Sequence, residues 1–326
     1  MQDAAPTPEQ ILEARNAVDG AVIRTPVLSL KQAALVERVG NAASLTMKLE
    51  LFQHAGSFKA RGNLLGIRRL TPEERTAGVI AASGGNHALA VSWAAARQNV
   101  RATLVMPKAT DPLRVDGCKS AGAEVILVDD IAAAFDEMNR LAEARGLTVM
   151  HPFEGTHMTL GAATLGAEII EDLPHLDCMI VAVGGGGLIG GVAAAIRQVK
   201  PDCTVIGVEP VGADSLSRSF EKGEAVRIGK VDTIADSLGS PAALPFSFSV
   251  AKQYVTEIVR IEDRLMVDAM ILMRDALKLV AEPACAAALA AATGPLRDQL
   301  TGKNVCVLAC GSNIGAQRYN MLLDGR

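Results

Sequence analysis

Between Cys178 and Ile196 the chain runs for 19 residues without a charge, yet six of these are glycines, and Gly184 to Gly187 stand in a row. A membrane-spanning helix of that length is built from bulky apolar residues, and a glycine cluster at its middle weakens it severely. The stretch reads instead as a buried strand (Cys178–Val183), a glycine loop and a helix (Leu188–Val199). Backbone N–H groups free of neighbouring Cβ atoms close around an oxyanion at the positive end of a helix, and a phosphate suits that place. Gly185, Gly187 and Gly190 also fall at G-x-G-x-x-G spacing, with Glu209 ending the next strand. That is the dinucleotide fingerprint, so the loop by itself leaves a NAD-binding dehydrogenase open beside another phosphate ligand.

The same strand–helix grammar extends in both directions. Strands are expected at 78–82, 102–106, 124–128 and 147–150, with helices from Asn86, near Asp111 and from Ile131 between them. Further along, a helix over 160–172 precedes the glycine loop. Strands at 204–209, 254–261 and 305–309 and helices at 264–280 and 284–292 follow it. Short apolar strands alternating with amphipathic helices imply mostly parallel sheets flanked by helices. The expected fold class is α/β in two layered units with a cleft between them. Residues 76–150 form the smaller unit, and 1–75 with 151–326 the larger.

Composition excludes several functions. A net charge of −4 over 326 residues gives no electrostatic case for nucleic acid or an anionic membrane. The opening MQDAAPTPEQ lacks a basic region followed by an apolar run, so no secretory leader is expected. Six cysteines without a C-x-x-C pair fit reduced thiols in a cytoplasmic protein better than a zinc or iron–sulfur site.

Three stretches besides the glycine loop carry chemistry. His54 to Arg61 (HAGSFKAR) places Lys59 at the start of a helix, after the strand-like run Leu45–Leu51. The positive helix end and burial both lower the lysine's pKa, and a neutral amine is what a Schiff-base nucleophile needs. Ser83, Gly84, Gly85, Asn86 and His87 form a turn from a strand into a helix. Its small residues let amides approach a carboxylate, and Asn86 offers an amide to a ligand hydroxyl. Ala309 to Asn313 (ACGSN) ends the last strand, where α/β sheets bind ligands.

In this order RTPVL, GSFKARGN, SGGNHA, HPFEG, GGGGL, GVEP, IADS, AEPA and ACGSN span nearly the whole chain. Their co-occurrence resembles the fold-type II pyridoxal-phosphate enzymes, in the serine/threonine dehydratase and serine racemase branch. The resemblance implies pyridoxal 5′-phosphate held covalently by Lys59, with Phe58 against its ring and Asn86 on the ring hydroxyl. Gly184, Gly185, Gly186 and Gly187 would hold the phosphate and Ser312 the pyridine nitrogen, while the turn from Ser83 through Gly84, Gly85 and Asn86 to His87 would grip the substrate carboxylate. It also implies a small unit that closes over an amino-acid substrate, and a homodimer. The implied reaction is loss of the β-hydroxyl, most simply from L-threonine or L-serine, to a 2-oxo acid and ammonia. A 3-hydroxyaspartate or 3-phenylserine substrate, a β-replacement reaction, racemisation and a non-catalytic binding module are the other readings.

Departures from the family pattern sharpen this. Racemases of the branch carry a serine where Gly84 stands, so little racemisation is expected. Relatives that bind a divalent cation use a Glu, a backbone carbonyl and an Asp; here Glu209 and Ala213 match but the third place is Ser215, which leaves at most a weaker or monovalent cation. Asp236-Ser237 and Glu154-Gly155 also differ from the family and are expected near the substrate side chain. His54, His157 and His175 read as structural, while His87 and His151 adjoin matched motifs.

Overall fold

The computed structural model describes residues 5–325. Residues 1–4 and 326, placed by the sequence in the larger unit and, for 1–4, within the stretch searched for a leader, lie outside that range.

Two sheets form, both largely parallel. The larger contains β1 (Val27–Ser29), β2 (Ser44–Leu49), β7 (Cys178–Ala182), β8 (Thr204–Pro210), β9 (Glu257–Ile261) and β10 (Asn304–Ala309), in the order β1-β2-β10-β7-β8-β9. Among the described residues only the β1–β2 pair in it is antiparallel. The smaller contains β3 (Val79–Ala82), β4 (Ala102–Pro107), β5 (Glu124–Val128) and β6 (Thr148–Val149), all parallel, in the order β5-β4-β3-β6. β3 and β7 are buried at every position, as strands covered by helices on both faces must be. The helix Pro283–Thr293, ten of whose residues are buried, fills the centre of the larger core. Side chains of the helices Pro8–Val18 and Lys59–Arg68 (Ile11, Leu64, Leu65) share a core with β3 and β4.

Several boundaries differ from expectation. The helix expected over 264–280 stops at Leu272 and passes through a π turn, Met273–Leu277, to Lys278 at φ 61°. The strand expected from Tyr254 starts at Glu257, because Pro245 at a first helical position begins the helix Pro245–Tyr254. The uncharged stretch is a strand, a loop and the helix Gly187–Val199, as read. Among the described residues no helix is long and apolar enough to cross a membrane. All six cysteines are buried and unpaired in disulfides.

Candidate active site

Four loops leave the carboxyl ends of parallel strands and meet between the two sheets. Gly184–Gly187 follows β7, Ser83–Gly85 follows β3, Ser312 follows β10, and Lys59 comes after two short 3-10 turns beyond β2. A bridge between Ser57 and Gly311 and a bond from Phe58 N to Cys310 O (3.1 Å) join the lysine segment to the end of β10.

The lysine helix is anchored from below by ions. Arg61, fully buried, donates to Glu50 (2.8 and 2.9 Å) and to Glu168 (2.7 and 2.9 Å), while Lys48 lies 3.2 Å from Glu168. Buried charges persist only when paired this closely. The helix Lys59–Arg68 is thereby tied to the end of β2 and to the helix Thr156–Asp172.

Lys59 Nζ donates to Pro152 O at 2.6 Å and lies 5.0 Å from the Phe58 ring centre. Burial lowers its pKa to about 8, against the opposing pull of Cys310 and Glu282. Next to it, the buried Ser57 hydroxyl has no hydrogen-bond partner.

The glycine loop closes on the segment that holds the lysine. A Cβ at Gly185 would stand 2.2 Å from the Phe153 ring, and one at Gly187 2.3 Å from the Phe153 carbonyl. Gly186 has φ 91°, a left-handed conformation that side chains disfavour. The loop leads into the first turn of Gly187–Val199, whose N–H groups have no intrahelical partner. Backbone donors, an unpartnered hydroxyl and an amine of lowered pKa fit a phosphorylated aldehyde.

Asn86 is the best-defined polar group here. Its Nδ2 donates to Glu282 Oε1 (2.6 Å) and its Oδ1 accepts from Asn313 Nδ2 (2.7 Å). Ser83 Oγ accepts from Gly85 N at 3.1 Å, which tightens the turn. Ser312 Oγ donates to Val280 O at 2.5 Å, and its N–H donates to Gly56 O at 3.0 Å.

Other residues lie elsewhere than the sequence suggests. The buried His87 ring is taken up by Met150 O (2.8 Å) and by Asn63 Nδ2 (3.3 Å), and burial holds its pKa well below the usual value. As the carbonyl can only accept, Nε2 carries the proton and Nδ1 accepts from Asn63; the imidazole is a core group, and only the backbone of His87 belongs to the turn. His151 Nδ1 accepts from Glu154 N at 2.9 Å, and burial lowers its pKa to about 4, so it shapes its own loop. The Glu154 carboxylate is engaged by the scaffold: it accepts from Phe246 N, Ser247 N and Ser247 Oγ (2.8, 3.0 and 2.6 Å), capping Pro245–Tyr254. Glu209 likewise accepts from Leu216 N (2.9 Å) and Ser217 N (2.8 Å) at the start of the helix Ser215–Lys222. Burial pushes its pKa up to about 7 against these bonds. Among the described residues no three His, Cys, Asp or Glu side chains gather as a metal site; of the expected cation ligands, Glu209 accepts from two backbone N–H groups, and the buried Ser215 hydroxyl has no hydrogen-bond partner.

The model of the family described as "Pyridoxal-phosphate dependent enzyme" matches residues 18–311 of the chain. The chain belongs to that family. Within it, the protein is of fold type II and of the serine/threonine dehydratase group, with pyridoxal 5′-phosphate as its cofactor. The enzyme is 44% identical to a phenylserine dehydratase of Ralstonia pickettii over 276 residues, 85% of each chain. It is 35% identical to an L-threonine ammonia-lyase of Thermotoga maritima over 98% of this chain and 78% of the relative. An L-threo-3-hydroxyaspartate ammonia-lyase of Saccharomyces cerevisiae is 33% identical over 98% and 97% of the two chains. Maize serine racemase superposes with a TM-score of 0.91 at 30% identity, covering 99% and 98% of the two chains. The enzyme thus sits among ammonia-lyases and racemases that share one fold. The motif HPFEG was read from the sequence without a role for Pro152 or Phe153, which the structure sets against Lys59 and the glycine loop; Arg114, whose Nη1 donates to Gly84 O at 3.1 Å, lies in no motif and was not singled out.

Proposed function

We propose that the enzyme is an ammonia-lyase that removes the β-hydroxyl of an uncharged β-hydroxy amino acid, L-threonine or L-serine in the first instance, giving a 2-oxo acid and ammonia. One observation carries this reading: the Lys59 amine, held at a pKa of about 8, faces the Pro152–Phe153 segment that the glycine loop packs against. Pyridoxal phosphate bound there supplies an electron sink for the substrate α-carbon. The chain's residues do the rest. The N–H groups of the turn at Ser83–Asn86 hold the substrate carboxylate at a helix N-terminus. Lys59 Nζ, the amine that would hold the cofactor, would also serve as the general base for the α-proton. The Ser312 hydroxyl, which donates to Val280 O here, would turn to the cofactor's ring nitrogen when it is bound and, unlike a carboxylate, would not favour a proton there, which favours expulsion of the β-hydroxyl over transamination. Residues 76–150 are proposed to close over the substrate as a unit.

Arg114, the cation beside this turn, is engaged by Asp236, Gly84 O, Asn313 O and Glu282. It offers no free fork for a second carboxylate, which puts 3-hydroxyaspartate behind uncharged substrates. A 3-phenylserine substrate is the second reading, favoured by the 44% identity to the Ralstonia protein. The deciding experiment supplies the holoenzyme with L-threonine, L-serine, L-threo-3-phenylserine and L-threo-3-hydroxyaspartate and follows 2-oxo acid and ammonia. Release from an uncharged substrate is expected. Release from none of them, or only with added sulfide, overturns the proposal.

A further inference from the structure

Arg114 belongs to none of the motifs, yet more separate segments of the cleft meet on it than on any single motif residue described above. It is the third residue of the helix Pro112–Ser120, beside the smaller sheet, with its side chain 3% exposed. Nε donates to Asn313 O at 2.8 Å, and Nη1 to Asp236 Oδ2 at 2.5 Å and to Gly84 O at 3.1 Å; Nη2 lies 3.4 Å from Glu282 Oε2. One guanidinium therefore spans the turn after β3, the loop at Asp236, the start of Pro283–Thr293 and the segment after β10.

Two of those partners converge on Asn86. Glu282 Oε1 accepts from Asn86 Nδ2 at 2.6 Å. Asn313 Nδ2, which also donates to Ala55 O at 2.7 Å, donates to Asn86 Oδ1 at 2.7 Å. With an acceptor on one side and a donor on the other, the Asn86 amide has a single orientation. The second hydrogen of Nδ2 has only the long contact to Ser237 Oγ, 3.4 Å, and is left for a ligand oxygen.

We infer that Arg114 is a positioning residue: through Glu282 and Asn313 it fixes the Asn86 amide toward the cofactor's ring oxygen, and through Gly84 O it keeps the carboxylate-binding turn in register with it. The inference rests on Asn86 contacting the cofactor, as read above. Lysine cannot replace this arrangement, since a point charge on a flexible stem does not reproduce a planar fork with several acceptors. Removal of the charge altogether leaves Glu282, which is buried, beside a carboxylate at Asp236 without their common cation.

A double-mutant cycle on cofactor binding tests this. Arg114→Lys, Asn86→Ala and the double variant are prepared as apoproteins and titrated with pyridoxal phosphate by absorbance; melting temperature and the pH titration of the bound chromophore are recorded alongside. Arg114→Lys alone is expected to weaken cofactor binding about 10-fold, the size of a lost charge-assisted bond. In the Asn86→Ala background the same change is expected to cost less than about 2-fold, because its target is gone. Should Arg114→Lys not fold, Asn313→Ala takes its place in the cycle and the same non-additivity is expected. Effects that multiply independently, or a first variant that binds and titrates like the parent, overturn the inference. If Asn86→Ala itself binds cofactor unchanged, the underlying site reading fails, and the inference with it.

Discussion

Lys59 and Pro152 meet at 2.6 Å, the amine donating to the carbonyl, so the lysine is held by a neutral acceptor and not by a carboxylate. Without a counter-ion at bonding distance, burial dominates and the pKa falls from 10.5 to about 8. Between those two values the amine is neutral in the folded chain and charged in an unfolded one, so its contribution to stability rises with pH across that window.

The first prediction concerns loading of the apoprotein. At pH 7 about a tenth of the Lys59 amines are neutral, several hundred times more than for an ordinary lysine. Covalent uptake of pyridoxal phosphate, followed by absorbance, is expected to quicken about tenfold per unit below pH 8 and to level off above it. Lys59→Ala is expected to abolish covalent uptake and elimination. A loading rate flat from pH 6 to 9 refutes the assignment.

The glycine loop gives a paired prediction. Gly185→Ala drives a methyl into the Phe153 side chain, whereas Gly187→Ala drives one into the Phe153 backbone carbonyl. Each is expected to weaken cofactor binding about 10- to 100-fold by overpacking. Adding Phe153→Ala is expected to restore the first and leave the second impaired. Equal rescue in cofactor titrations contradicts this geometry.

A third test bears on stereochemistry. A Cβ at Gly84 would lie 2.7 Å from Thr110 Oγ1, a buried hydroxyl without a hydrogen-bond partner. With no acid at position 84, L-to-D conversion is expected to run at no more than about a hundredth of the elimination rate. Gly84→Ser alone is expected to gain little, because Thr110 occupies its space. Gly84→Ser with Thr110→Ala is expected to raise racemisation about tenfold, read by chiral chromatography of recovered substrate. Racemisation by the parent at a rate near elimination disproves the reading.

Cation dependence follows from Glu209. Because its carboxylate caps the helix Ser215–Lys222, dialysis against a chelator is expected to leave elimination rate and melting temperature unchanged. Glu209→Ala is expected to cost about 1–2 kcal/mol of stability through the lost cap, measured by denaturant unfolding. Loss of activity on chelation, restored by magnesium, shows that a cation is held after all.

The glycine loop, Lys59, the turn at Ser83–Asn86 and the end of β10 were legible in the sequence. Each depends on local matters: strand-to-helix transitions, residues without Cβ where backbone comes close, and an amine at a helix start. The helices Pro245–Tyr254 and Ser215–Lys222 were not read, although Pro245 stands at a first helical position; their caps are the side chains of Glu154 and Glu209, 92 and 7 residues away, and only the first is a long-range contact.

What the order of residues by itself determined is the kind of most segments and the place of Lys59 at the start of a helix. Only the tertiary structure decided where polar side chains spend their hydrogen bonds: His87 and Glu154 on the scaffold, Arg114 on the cleft, Asn86 in one fixed orientation. A polar group's role depends on which donors and acceptors the chain crossovers bring within 3 Å or so of it, and the bonds from Asn86 to Glu282 and from Asn313 to Asn86 span 196 and 227 residues.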